Sequence, residues 1–248
     1  MILFLTSSPC DDNVPGGLPI PCILDERNGF VDALCARWKP GSRCVIACAA
    51  PDAFEHNDEM RDTFASAFAF HGLTYRSFDL LDARNADMAE KLISRSDFVL
   101  LSGGHVPTEN AFFAEIGLRE LLKGYEGIVM GISAGSMNAA DIVYAQPEVA
   151  GESIDPDYER FIPGLGLTNL NILPHYQMVR DNILDGRRLY EDITFADSIG
   201  HAFLVLVDGS YVLEEEDRCE VYGEAYLIFS GKMMKICDEG DMLSLYGG

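Results

Sequence analysis

Long apolar runs are missing from this sequence, and nothing in it reaches the roughly 18 residues that a membrane-spanning helix needs. The opening Ile2-Leu3-Phe4-Leu5 is too short for the core of a secretion signal and has no basic residue ahead of it, so it reads as a first strand. Basic residues are scarce. Only 18 Lys and Arg stand against 40 Asp and Glu, a formal net charge of −22. Nucleic-acid binding needs a basic surface to displace counterions, so this balance argues strongly against it. The same field would repel an acidic substrate, and its plainest meaning is a solvated surface that keeps the protein soluble. Zinc-ligand spacings, a C-x-x-C pair and an H-E-x-x-H pattern are all absent, and neither a metal nor a cofactor is expected. The seven cysteines are odd in number, and Cys44 and Cys48 sit inside an apolar run as small hydrophobes, which fits a reduced, cytoplasmic protein.

What is present is enough for a sizeable core, with 48% hydrophobic and 10% aromatic residues. No repeat or low-complexity stretch divides the chain, so residues 1–248 are expected to form a single domain. Residues 44–48, 98–101 and 128–130 are apolar without alternation, as strands covered on both faces are. Between them lie helical patterns at 28–38, at 57–71 (Asn57 or Asp58 capping, Gly72 closing), at 87–94 and from Pro107 to Gly124. Repeated strand–helix units of this kind specify an α/β doubly wound, mostly parallel sheet, whose reactive groups gather beyond the C-terminal strand ends. From Ala202 onward, short apolar runs alternate with tight turns, so the tail should be antiparallel.

Gly131-Ile132-Ser133-Ala134-Gly135 follows one of these strands and opens a small-residue helix, the context of a nucleophile elbow. A serine hydroxyl is a weak nucleophile and needs a base, itself oriented by an acid. Among five histidines, His71 falls on a helix face and His56 in a polar loop, and nothing recommends His201. His105 stands beside the Gly103-Gly104 pair. His175 ends an extended segment behind Pro174, which fixes the local backbone, and is the expected base. Asp208 follows the apolar run 203–207 and is the leading acid, although Asp208-Gly209 reads equally well as a two-residue hairpin turn. Glu148 and Glu214 are weaker alternatives. The oxyanion needs backbone N–H donors, one from Ala134 after the nucleophile and one from the Gly103-Gly104 loop. An α/β-hydrolase runs serine, acid, histidine. The order here is serine, histidine, acid, which argues against an esterase or lipase.

Ser102-Gly103-Gly104, the elbow and Pro174-His175-Tyr176, in this order and spacing, make the chain resemble the peptidase E (α-aspartyl dipeptidase) family of serine peptidases, which also contains the cyanophycinases. The resemblance implies a three-layer αβα fold similar to class I glutamine amidotransferases, with serine in place of cysteine at the elbow. It implies Ser133 as nucleophile, His175 as base, Gly104 as the oxyanion glycine, and an acid, usually glutamate, in the segment that here holds Asp208. Where relatives commonly carry asparagine-threonine after the glycines, this chain has His105-Val106-Pro107-Thr108 bordering the substrate. Arg187 and Arg188 fall roughly where the family places an arginine for an aspartyl side chain. They are expected at the start of a helical stretch, where at most one of two neighbours would face the site. The expectation is a serine exopeptidase acting on small peptides, such as N-terminal Asp-X dipeptides, without nucleic acid, membrane or cofactor, and with a homodimer left open. A cyanophycinase-like hydrolase of Asp-Arg material, or an inactive binding relative, is the alternative.

Overall fold

The computed structural model describes residues 1–11, 13–16 and 18–246, with the backbone alone at Tyr246. Asp12 and Gly17, in the proline- and glycine-rich loop after the first strand, lie outside the described residues, as do Gly247 and Gly248. In chain order the first strands and helices are β1 (Ile2–Thr6), α1 (Phe30–Cys35), β2 (Ser42–Ala47), α2 (Phe54–Phe70), β3 (Tyr75–Leu81), α3 (Ala89–Ile93), β4 (Phe98–Leu101), α4 (Val106–Glu115), α5 (Leu118–Leu121), β5 (Ile128–Ile132) and α6 (Ala134–Asn138). After them come β6 (Asn171–Leu173), α7 (Tyr176–Val179), α8 (Phe195–Asp197), β7 (Ala202–Leu206), β8 (Tyr211–Glu215), β9 (Arg218–Tyr222), β10 (Ala225–Phe229), β11 (Lys232–Cys237) and β12 (Met242–Tyr246).

The main sheet runs β12-β9-β8-β1-β5-β4-β2-β3, parallel from β1 through β3 and antiparallel from β8 outward. Its central strands lack polar alternation because both faces are covered. Leu3, Leu5, Val45, Ala47, Val99, Leu101 and Val129 pack on one side with α3, α4 and α5. Phe4, Cys44, Ile46, Phe98, Leu100, Ile128 and Met130 pack on the other with α1 and α2. Each of the Val, Leu, Ile, Phe and Met side chains among them contributes about 1.5–3 kcal/mol when fully buried, so these two layers dominate the fold. A second sheet, β6-β7-β10-β11, is parallel between β6 and β7 and antiparallel beyond. It rests against the elbow helix through Met137, Leu173, Phe203 and Val205. The three-layer, mostly parallel architecture and the antiparallel tail are thus as expected.

Several boundaries differ. Helix α2 starts at Phe54, not at Asn57. Asn57 is buried, and its amide donates to the Ala50 carbonyl and to Asp82 instead of capping. The 107–124 pattern breaks at Gly117, whose φ of +64° ends α4 and restarts α5. His56 lies within α2, exposed, and not in a loop. Arg187–Arg188 is a strand paired antiparallel with Ile183–Leu184 across Asp185-Gly186, and a π-helix (Leu189–Thr194) follows it. Most telling, β7 and β8 belong to different sheets. The Asp208-Gly209 step between them therefore joins no hairpin, and only Gly209 has a positive φ, +88°.

Candidate active site

Parallel pairing brings the ends of β1, β5 and β4 to one edge, with Thr6 opposite Ile132 and Leu101 opposite Gly131. Ser7, Ser133 and the Ser102-Gly103-Gly104 turn all emerge there. Ser133 takes φ 51° and ψ −114°, a conformation that costs an ordinary residue about 1–3 kcal/mol. It is held there by its own N–H on the Thr6 carbonyl (3.1 Å), by Met137 N–H on its carbonyl (3.1 Å), and by Ser136 Oγ donating to Thr6 O (2.8 Å). The two flanking glycines are required by close packing, since neither has a positive φ. A Cβ on Gly131 would lie 2.7 Å from Ser136 N, and one on Gly135 would overlap the Leu101 carbonyl oxygen.

The second sheet supplies the partner pair. Strands β6 and β7 run parallel with Leu173 opposite Val205, so Pro174-His175 and Val207-Asp208 leave the sheet side by side. His175 adopts a left-handed conformation (φ 56°, ψ 30°) ahead of α7. Its Nδ1 lies 2.7 Å from Asp208 Oδ1. A carboxylate only accepts, which assigns the hydrogen to Nδ1 and leaves Nε2 free to take a proton. Ser7 ties the two together, its hydroxyl accepting from His175 N–H (2.7 Å) and donating to Asp208 Oδ1 (2.6 Å). Gln177 Oε1 accepts from Asp208 N–H (3.1 Å). Burial opposes the charge on Asp208, yet the hydrogen bonds from His175 and Ser7 outweigh it and hold the carboxyl below its ordinary range.

Ser133 and His175 share a cleft of about 220 Å³ with Gly104 and Ala134. That is below the roughly 300–1,000 Å³ of sites for larger ligands and suits a short one. No hydrogen bond holds the Ser133 hydroxyl, and the Gly104 and Ala134 amides have no acceptor among the described residues. The walls include Val106, Met137, Val179, Ile183, Leu184 and Leu189 with the amides of Gln146 and Asn182, and Glu148 is the one acidic side chain among the described residues that line it.

Three expected substrate-binding residues are not among the described residues that line the cleft. His105 is not among the residues that line the cleft. It is engaged with Thr108 Oγ1 through Nδ1 and with Glu152 Oε1 through Nε2, both at 2.8 Å. Arg188 forms a two-point pair with Asp192 (3.0 and 2.7 Å), and Arg187 is exposed and reaches only the Ser153 carbonyl at 3.5 Å. The strand pair replaces the expected helix, with Ile183 and Leu184 lining the cleft and the two arginines on the partner strand, outside the lining. Of the other acids, Glu214 receives the Thr168 hydroxyl on β8, opposite Leu3 and away from the strand end that carries Ser7. Sequence reasoning missed Ser7, although it follows a strand end as Gly103 does. Glu148, expected only as an alternative acid for the histidine, lines the cleft itself. Among the described residues no three His, Cys, Asp or Glu side chains converge as a metal site would need, and no helix is long and apolar enough to cross a membrane.

Known proteins bear on this arrangement. No curated protein matches the sequence. Two solved structures share the fold over nearly the whole chain. A peptidase from an acI-B1 Actinobacterium is 17% identical with a TM-score of 0.63, covering 98% of this chain and 96% of its own. A protein from Listeria monocytogenes EGD-e, described as a peptidase E protein, is 13% identical with a TM-score of 0.57, covering 95% and 98%. The sequence model of Peptidase family S51 matches residues 46–222, a span that holds the elbow, the Ser102-Gly103-Gly104 turn and the histidine–aspartate pair. The chain therefore belongs to Peptidase family S51, the peptidase E family, and is a serine peptidase.

Proposed function

We propose that this chain hydrolyses peptide bonds in short peptides through an acyl-enzyme formed on Ser133, as a single peptidase domain. The observation that carries the proposal is the His175–Asp208 pair facing the same small cleft as a serine held in a strained elbow. Ser133 Oγ attacks the scissile carbonyl carbon while His175 Nε2 takes the hydroxyl proton. Asp208 keeps the other ring nitrogen protonated and stabilises the imidazolium that forms. The amides of Gly104 and Ala134 donate to the tetrahedral oxygen, which carries charge only after attack. Collapse expels the amine with the proton from His175. Water, deprotonated by the same nitrogen, then releases the acid and restores Ser133.

Cys35, Cys44, Cys48 and Cys237 are free thiols, which supports work in the reducing cytoplasm. An Asp-X preference has no support in the cleft, whose lining residues include neither arginine. A panel of dipeptides incubated with wild type, Ser133→Ala and His175→Ala tests the reading. Wild type should turn over at least one class, and both variants should fall by a factor of about 10³ or more. Equal turnover by Ser133→Ala would rule the mechanism out.

A further inference from the structure

We infer that the cleft selects a peptide whose first residue has an apolar side chain and a free α-ammonium group, with Glu148 as the acceptor for that charge. The inference deepens the peptidase reading and rests on it for the position of the scissile bond. Besides His175, Glu148 is the only ionisable side chain among the described residues that line the cleft. The other walls are aliphatic, from Val106, Met137, Val179, Ile183, Leu184 and Leu189, with the neutral amides of Gln146 and Asn182. An aspartyl side chain there would bring a second negative charge beside Glu148 with no cation to offset it, because Arg188 is tied to Asp192 and Arg187 stands outside.

The backbone at Glu148 is also held in place, and its side chain lines the cleft from an exposed position. Its backbone N–H donates to Glu152 Oε2 (2.8 Å), and Glu152 is fixed in turn by His105 (2.8 Å). Although the residue is exposed, partial desolvation against the cleft raises the Glu148 carboxyl above its ordinary range, Glu152 adds to that rise, and His105 and His175 act against it. The carboxylate thus sits within the field of the histidine that serves the reaction. In a peptide cleaved after its first residue, the α-nitrogen is separated from the scissile carbonyl only by Cα. An ammonium at that position stays close to the reacting carbonyl, and so on the His175 side of the cleft that Glu148 also lines. A charge-assisted hydrogen bond accounts for about a ten- to hundredfold gain in binding.

The test has two arms. In the first, full-length Ser133→Ala is titrated with leucinamide, N-acetyl-leucinamide and aspartic acid α-amide by calorimetry, alone and with Glu148→Gln added. Leucinamide should bind at least tenfold more tightly than the other two, and Glu148→Gln should remove its advantage over the acetylated form. In the second, wild type and Glu148→Gln hydrolyse Leu-X, Asp-X, Arg-X and acetyl-Leu-X peptides. Leu-X should lead, and the variant should lose the free-over-acetylated ratio mainly through KM. Preference for Asp-X or Arg-X, or a ratio untouched by Glu148→Gln, overturns the inference. Binding that behaves as expected while wild type hydrolyses nothing would instead overturn the catalytic reading and leave Glu148 as the recognition group.

Discussion

Replacing Asp208 with asparagine keeps the side chain's shape and removes its charge. Oδ1 receives two short hydrogen bonds, from His175 Nδ1 at 2.7 Å and from Ser7 Oγ at 2.6 Å. The side chain is only 21% exposed, so solvent screens it weakly. In the resting protein the change turns two charge-assisted bonds into neutral ones, a loss of about 1–2 kcal/mol. During attack the loss is larger, because His175 becomes a cation beside Asp208. Two unit charges about 4 Å apart at an effective dielectric of 20 interact by about 4 kcal/mol, or roughly 10³ in rate. Asp208→Asn should therefore lower kcat/KM about a thousandfold while denaturant unfolding shows only the smaller stability loss. The sign with pH follows from the depressed carboxyl. Its stabilisation is present above the ordinary aspartate range and disappears as pH falls through the folded value, so the stability gap should close in acid. A variant that folds normally and stays within about fivefold of wild type would refute the role given to Asp208.

Three further outcomes follow. Ser7→Ala leaves the His175 N–H without its acceptor and Asp208 without one donor, and should cost about 1–3 kcal/mol in stability and about tenfold in kcat/KM, read by unfolding and steady-state kinetics. Glu109 is fully buried with Oε1 unpartnered, and burial raises its carboxyl well above the ordinary range despite the bond from Asn138 (2.8 Å). The folded chain keeps that proton after the unfolded chain has lost it, so stability drains away as pH rises above about 4.3, by about 1.4 kcal/mol per unit up to the folded value. Glu109→Gln should gain on wild type along that slope, and a pH-independent difference in urea midpoints would count against it. For Glu148, faced by Glu152, His105, His175 and Tyr158, KM for a free-amino substrate should rise as pH falls, on a limb above the ordinary carboxylate range that Glu148→Gln removes.

The central strands were legible because burial on both faces leaves an unbroken apolar run, as in β4 and β5. The elbow was legible because Gly131 and Gly135 are demanded by contacts across the turn, which the five-residue pattern records. Asp208 was ambiguous for a physical reason. Two apolar runs around Asp-Gly look the same whether the strands pair with each other or, as here, enter different sheets. The local hairpin rule does apply, but at Asp185-Gly186, where φ values of 51° and 79° suit a tight turn between Ile183–Leu184 and Arg187–Arg188. Reading that dipeptide would have turned the two arginines from a helix into a strand. Asn57 misled because a cap and a buried tertiary partner share the same side chain. The Ser7 bridge and the Glu148 position depend on strand order and loop path, which no local pattern encodes.

The central claim is that Ser133 is an activated nucleophile. Incubating the purified chain with a fluorophosphonate and locating the adduct by peptide mass spectrometry tests it directly. The account predicts stoichiometric modification of Ser133 in wild type, sharply slower labelling in His175→Ala, and none in Ser133→Ala. An unmodified Ser133 in wild type, or an adduct confined to another residue, would contradict it.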